Sequence, residues 1–294
     1  MSPAALRDRL RPGAPALLAD GAMGTMLIAR GLEPGTAPES WNLSRPAVLE
    51  EIARAYREAG ADIVTANTFG GSPLRLAMYG LAEHTAEINA AAVAAARRGA
   101  PGALVAADVG PTGHLLEPYG DAKPADVLGG YERQVGALAS AGIDLLLLET
   151  FTDLAEALLA LRAAHAAAPG VPVAVTLTFE RTRRGYFTIM GTSVPAAAAQ
   201  LERAGADAVG SNCGNGIDVM VEIAREFRGA SALPLVFQPN AGLPQGTGPA
   251  AHPETPESMA ARVPDLLEAG AIIVGGCCGT TPAHIRAFRS RLSA

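Results

Sequence analysis

The sequence predicts an α/β fold, a single (β/α)8 TIM barrel that takes residues 1–294 as one domain. Three observations lead there. Short runs rich in Val, Leu, Ile and Ala recur eight times, and each is followed by a stretch with helical spacing, an alternation that calls for a parallel sheet. A chain of 294 residues matches the usual size of eight such units closed into a barrel. The rival, an open doubly wound sheet, would carry a Gly-x-Gly-x-x-Gly fingerprint after its first strand, whereas this chain has Gly21-Ala22-Met23-Gly24-Thr25.

The first strand is read at 15–20, ending in Asp20, and its helix at 47–59, where Val48, Ile52, Ala55, Tyr56 and Ala59 share a face and Gly60 stops the helix. The second strand, 61–68, opens into Phe69-Gly70-Gly71-Ser72 ahead of an alanine-rich helix at 83–98. A third strand at 103–109 ends in Gly110-Pro111-Thr112-Gly113, with a helix near 124–141. The fourth and most apolar strand, 144–148, closes on Glu149-Thr150 before a helix at 153–167. Strand five covers 171–179, with a charged loop through Arg184 and a helix near 194–204. The sixth, 207–213, ends on Cys213 and precedes a helix near 216–228. The seventh, 235–240, leads through a Gly/Pro-rich loop at 241–254 to a helix at 256–269. The eighth, 271–276, runs into Cys277-Cys278 and a final helix at 282–292.

Composition narrows the function. Hydrophobic residues make up 49% of the chain, enough for a full core. The net charge of −6, with no basic block longer than a pair, excludes a nucleic-acid or anionic-membrane footprint. No apolar run approaches a membrane span and the N-terminus lacks a signal-peptide core, so a cytoplasmic location is expected. Three cysteines cannot form a disulfide framework, which leaves metal binding, catalysis or burial.

In a barrel, active sites gather at the C-terminal ends of the strands, where Asp20, Asn67, Asp108, Glu149, Cys213, Asn240 and Cys277-Cys278 all fall. Cys213 and Cys277 close two even-numbered strands, and their sulfurs can converge over the mouth. Adjacent residues on a regular strand point to opposite faces, so Cys277 and Cys278 can share one metal only if the backbone leaves strand geometry. The flanking Gly275, Gly276 and Gly279 permit that. Three thiolates with an open fourth position describe a catalytic zinc site, one that would ionise a substrate thiol. The alternatives are three ordinary buried cysteines or a strained vicinal disulfide. For Glu149 the alternative is a helix cap, for Asp20 a local turn role, and for Asn67, Asn212 and Asn240 the satisfaction of loop backbone. The five histidines are scattered over helices and loops, and none is needed as a ligand.

Asp20 to Thr25, Asn67-Thr68-Phe69, Gly110 to Gly113, Glu149-Thr150-Phe151, Asn212-Cys213, Pro239-Asn240-Ala241-Gly242 and Gly275 to Pro282 together resemble the homocysteine S-methyltransferase family over about residues 15 to 290. The resemblance implies zinc held by Cys213, Cys277 and Cys278, homocysteine sulfur as the exchangeable ligand, and Glu149 receiving the substrate ammonium. Asp20, Gly21, Met23, Thr25, Asn67, Thr150, Asn212 and Asn240 are the further residues it places around the substrate. It implies an enzyme that methylates homocysteine to methionine.

The chain ends where the barrel ends, so the methyl donor is expected from outside. The stretch Gln238 to Pro244 is more similar to the module of cobalamin-dependent methionine synthases than to the betaine enzymes, which points to a methylated corrinoid such as methylcobalamin, free or on a partner protein. A sulfonium or betaine donor is the alternative. It would need an aromatic cage or carboxylates, and with 4% aromatic residues the candidates are Trp41, Phe69, Tyr119 and Phe151. A non-catalytic zinc-thiolate subunit is the other alternative, and a homodimer is compatible with the exposed barrel end.

Overall fold

The computed structural model describes residues 3–244 and 252–292, so residues 245–251 of the expected 241–254 loop lie outside the described residues. The strands are β1 (Leu17–Leu18), β2 (Ile63–Ala66), β3 (Leu104–Val109), β4 (Leu145–Phe151), β5 (Val173–Leu177), β6 (Glu180–Thr182), β7 (Gly185–Phe187), β8 (Ala208–Asn212), β9 (Leu235–Gln238) and β10 (Ala271–Val274). Eight of them form one parallel sheet in the order β1-β10-β9-β8-β5-β4-β3-β2, while β6 and β7 pair as a separate antiparallel hairpin. The sheet closes on itself where Ala19 bridges Ile63 and Asp62 donates its N–H to the Leu18 carbonyl. The expected (β/α)8 barrel is therefore the fold.

Each barrel strand is followed by an outer helix: α4 (Pro46–Glu58), α6 (Thr85–Gly99), α7 (Pro124–Ser140), α8 (Leu154–Ala167), α9 (Val194–Arg203), α10 (Ile217–Ala230), α11 (Pro256–Glu268) and α12 (Pro282–Leu292). Their starts are written in the sequence. Proline stands in the first turn of α4, α7, α9 and α11, and the side chains of Asp153, Ser193 and Thr255 accept the orphan N–H groups of Ala155, Ala196 and Ser258. Leu49, Ile52, Ala53 and Tyr56 form the buried stripe of α4.

At the bottom of the barrel one device recurs three times. Asp62, Asp144 and Asp207 each stand just before a strand and accept the backbone N–H of the neighbouring strand, from Leu18, Val105 and Val173 respectively, at 2.8–2.9 Å. Each also pairs with an arginine, Arg289, Arg97 and Arg7. These contacts pin strand register at the end opposite the site.

Sequence reading missed several short elements: α1 (Pro3–Arg9), α2 (Met23–Ile28), α3 (Trp41–Ser44), α5 (Pro73–Ala77) and the β6–β7 hairpin, which occupies the expected charged loop. Leu6 and Leu10, at and just beyond α1, are buried against the inner barrel residues and plug its lower end. Burying two leucines contributes roughly 1.5–3 kcal/mol each. Among the described residues no helix is long and apolar enough to cross a membrane.

The strand period sets up the site. Ile63, Ala106, Leu147, Ala174 and Val236 fill the barrel interior. Two residues further along each strand the same face turns polar, with Thr65, Asp108, Glu149, Thr176 and Gln238. The apolar plug thus ends one layer below the mouth, and the next layer is built for polar chemistry.

Candidate active site

Cys213 immediately follows β8, and the Cys277-Cys278 pair follows β10, with β9 between them. All three are free thiols, and their sulfurs lie within 4.8 Å of one another. The Cys213 and Cys278 Sγ atoms are 3.9 Å apart. An ion with tetrahedral bonds of about 2.3 Å to sulfur separates its ligands by roughly 3.8 Å, so the site fits a metal held by three sulfurs. Among the described residues no histidine or carboxylate joins the group.

The backbone leaves strand geometry as expected. β10 ends at Val274, Gly276 donates its N–H to the Asp20 carbonyl, Cys277 donates to Pro239 O, and Thr280 N–H turns back to Cys277 O. Gly276 is required by close approach, since a Cβ there would meet Thr280 Oγ1 at 2.3 Å. Thr25 Oγ1 accepts the Gly279 N–H at 3.0 Å, which ties the loop after β1 to the cysteine loop.

The sulfurs already share charge. Hydrogen bonds from the Cys277 and Cys278 thiols pull Cys213 down to about 3. The same contacts act oppositely on the donors, pushing Cys278 up to about 12 and Cys277 well above the usual thiol range. One negative charge is thus spread over three sulfurs, and a dication is the partner that lets all three ionise.

Thr150 and Cys213, at φ 63° and 58°, are the two non-glycine residues with positive φ among the described residues. Such conformations cost on the order of 1–3 kcal/mol each and concentrate at functional sites. Here both flank the sulfur cluster.

A cavity of about 240 Å³ opens beside the sulfurs. Of the expected site residues, Gly21, Met23, Thr25, Asn67, Glu149, Thr150, Cys213, Cys277 and Cys278 line it. Asp20, Asn212 and Asn240, also expected around the substrate, lie behind its wall and do not line it. Asp20 accepts the Thr65 N–H and hydroxyl, both at 2.7 Å. Asn240 is buried, and its backbone N–H donates to Asn215 O at 2.9 Å. Asn212 is fully buried within a polar network beneath Glu149 and Thr150. In each case neighbouring backbone and side chains, which spacing does not reveal, cover the side chain.

Asp108, Gln238 and Glu39 line the cavity beyond the residues expected to contact substrate. The first two were within reach of sequence reading, because they continue the inward period of β3 and β9. Glu39, held by the Gly70 N–H at 2.6 Å, comes from a single 3-10 turn, Pro38–Ser40, too short to give a periodic signal. Burial pushes Glu149 up to about 7 and Asp20 up to about 6. Asp108 is driven well above the carboxylate range by burial and then by the charge of Glu149, so it holds the proton of the pair and donates to Glu149. Of the four aromatic candidates only Phe69 lines the cavity. Phe151 is in the core, Trp41 is buried under the Arg45 guanidinium, and Tyr119 is 77% exposed on the outer rim.

Fold and site together define a (β/α)8 barrel enzyme whose mouth offers three cysteine sulfurs to a metal and a group of acids to a substrate. The chain belongs to the homocysteine S-methyltransferase family, whose model matches residues 17–292. It is 36% identical over 291 residues to a methionine synthase of Mycobacterium tuberculosis, and 35% identical over 291 residues to that of Mycobacterium leprae; each alignment covers 92% of this chain. The chain spans only 24% of the length of these curated relatives. The metallated crystal structure of the homocysteine methyltransferase MmuM from Escherichia coli superposes with a TM-score of 0.79 at 27% identity, covering 98% of both chains.

Proposed function

We propose that this protein is a zinc-dependent methyltransferase that moves a methyl group onto the sulfur of homocysteine to give methionine, with a methylated corrinoid as donor. The observation that carries the proposal is the three-sulfur cluster, with its 3.9 Å spacing, opening onto the same cavity as Glu149. Zinc bound by Cys213, Cys277 and Cys278 would supply the Lewis acidity that keeps a substrate thiol ionised at neutral pH.

The chain's own residues do the rest. Glu149, with Asp108 behind it, receives the substrate ammonium, and that positive charge offsets the burial that otherwise keeps the pair protonated. The first turn of α2 has N–H groups without intrahelical partners and faces the cavity through Met23, Gly24 and Thr25, where it can hold the substrate carboxylate. Phe69 and Met23 exclude water from one wall. As the S–CH3 bond forms, the donor's bond to the methyl breaks and its electron pair leaves with the donor. The thiol proton is lost to solvent.

Two features favour a large donor. Among the described residues Phe69 is the one aromatic side chain on the cavity wall, which makes no aromatic cage. In addition, the nine large hydrophobic side chains exposed among the described residues, from Ile28 in α2 and Leu43 in α3 to Leu243, all lie in the connections between the C-terminal ends of barrel strands and the outer helices that follow. An apolar rim around the mouth suits a corrinoid-carrying protein. Glu39 and Asp108 in the cavity wall favour instead a small cationic donor of the sulfonium or betaine type. Free thiols at the site suit the reducing cytoplasm.

Mass spectrometry of the product decides. With homocysteine and methylcobalamin as sole donor, methionine is expected, and its formation is expected to cease on zinc chelation. Methionine formed only from S-methylmethionine or betaine would overturn the corrinoid assignment. No methionine from any of these donors with zinc-loaded protein would overturn the proposed function.

A further inference from the structure

We infer that Asn212 is a positioning residue that sets the substrate-holding carboxylate and the sulfur cluster in one fixed arrangement. The inference rests on the reading that Glu149 receives the substrate ammonium.

Asn212 is the last residue of β8, is fully buried, and does not line the cavity. Its side-chain oxygen accepts the Thr150 N–H and the Thr176 hydroxyl, both at 2.8 Å. Its side-chain nitrogen donates to Thr150 Oγ1 at 2.7 Å and to Glu149 Oε2 at 3.0 Å, and lies 3.9 Å from Cys277 Sγ. The amide thus uses two acceptor and two donor positions, which leaves it a single orientation.

Three consequences follow from this geometry. Thr150 is β-branched and sits at φ 63°, a conformation it would leave if unrestrained. Asn212 grips both its N–H and its hydroxyl, so the amide offsets that strain. Glu149 directly precedes Thr150, so the same grip aims its carboxylate into the cavity. Cys213 directly follows Asn212 at φ 58°, so the residue that aims the carboxylate also fixes the chain at the point where a sulfur ligand leaves β8. Without the amide, Glu149 loses a hydrogen bond and its backbone anchor, while the three cysteines keep their own backbone contacts, Cys213 N–H to Gln238 O, Cys277 N–H to Pro239 O and Ala241 N–H to Cys278 O.

The test compares two ligands on zinc-loaded protein by titration calorimetry. Homocysteine carries thiol, carboxylate and ammonium. 4-Mercaptobutanoate carries the thiol and carboxylate alone. The wild type is expected to prefer homocysteine by roughly 30-fold or more. In Asn212→Ala, with zinc content unchanged, homocysteine is expected to weaken by about tenfold or more, the loss of a hydrogen bond to a charged group, while the analogue changes little. The preference therefore collapses. Equal weakening of both ligands would show a merely structural role and overturn the inference. So would an unchanged preference. If the alanine variant does not fold, Asn212→Ser, which keeps a hydroxyl but cannot reach Glu149, gives the same comparison with the same expected collapse. A wild type without any preference would overturn the Glu149 reading itself, a result distinct from a wild type that discriminates and a variant that discriminates equally well.

Discussion

Cys277→Ala is expected to lose its metal and at least about a thousandfold in turnover, more than the 10–100-fold typical of losing a residue that only hydrogen-bonds to a metal ligand. The reason is geometric. Cys277 is anchored by its N–H to Pro239 O, and its sulfur lies 3.9 Å from the Asn212 side-chain nitrogen. Removing it leaves two sulfurs, Cys213 and Cys278, as the protein's ligands and two open positions, a set that holds zinc weakly. The fold should survive, because the barrel core is separate from the site and an alanine fits the same backbone. Metal content by mass spectrometry, product formation and the thermal transition are the three readouts. A variant that kept zinc and full turnover would remove the sulfur cluster from the mechanism.

Glu149→Gln is expected to raise the KM for homocysteine by about 100-fold or more, with a smaller change in kcat. The amide keeps the shape of the side chain, but it leaves the substrate ammonium in a buried site without a counter-charge. Breaking one side of such a pair costs about 3–5 kcal/mol. The pH dependence carries a sign that can be checked. Burial pushes Glu149 up to about 7, so in the empty site the carboxylate gains a proton as pH falls through that value. Homocysteine affinity should therefore decline below about pH 7 relative to 4-mercaptobutanoate, which has no ammonium to lose. The glutamine variant should lack that limb of the profile. A pH-independent ratio in the wild type would place the ammonium elsewhere.

Much of the molecule was legible in the chain. The eight strand–helix units were readable because buried parallel strands are continuous apolar runs and the helices that follow carry proline or capping residues at their starts. The sulfur cluster was legible because vicinal cysteines among glycines have few other physical uses. Residues whose role depends on three-dimensional neighbours were not. Asn212 and Asp20 were expected around the substrate, and only the fold shows that Thr150 and Glu149 cover the first and that Thr65 occupies both oxygens of the second. Asp108 was in reach, two residues beyond the inward-facing Ala106, and the period-2 rule applied to β3 points it into the cavity. Helix α1 was illegible for another reason. Its short segment has no helical period long enough to stand out, and it is fixed by plugging the barrel floor.

The most direct test is the sulfur count around the bound ion. X-ray absorption at the zinc edge of the loaded protein is expected to give three sulfur neighbours at about 2.3 Å, completed by a lighter atom, and four sulfur neighbours once homocysteine is added. A first shell that stays at three sulfurs in the presence of saturating homocysteine, or one dominated throughout by nitrogen and oxygen, would contradict the assignment of Cys213, Cys277 and Cys278 as the centre that receives the substrate thiol.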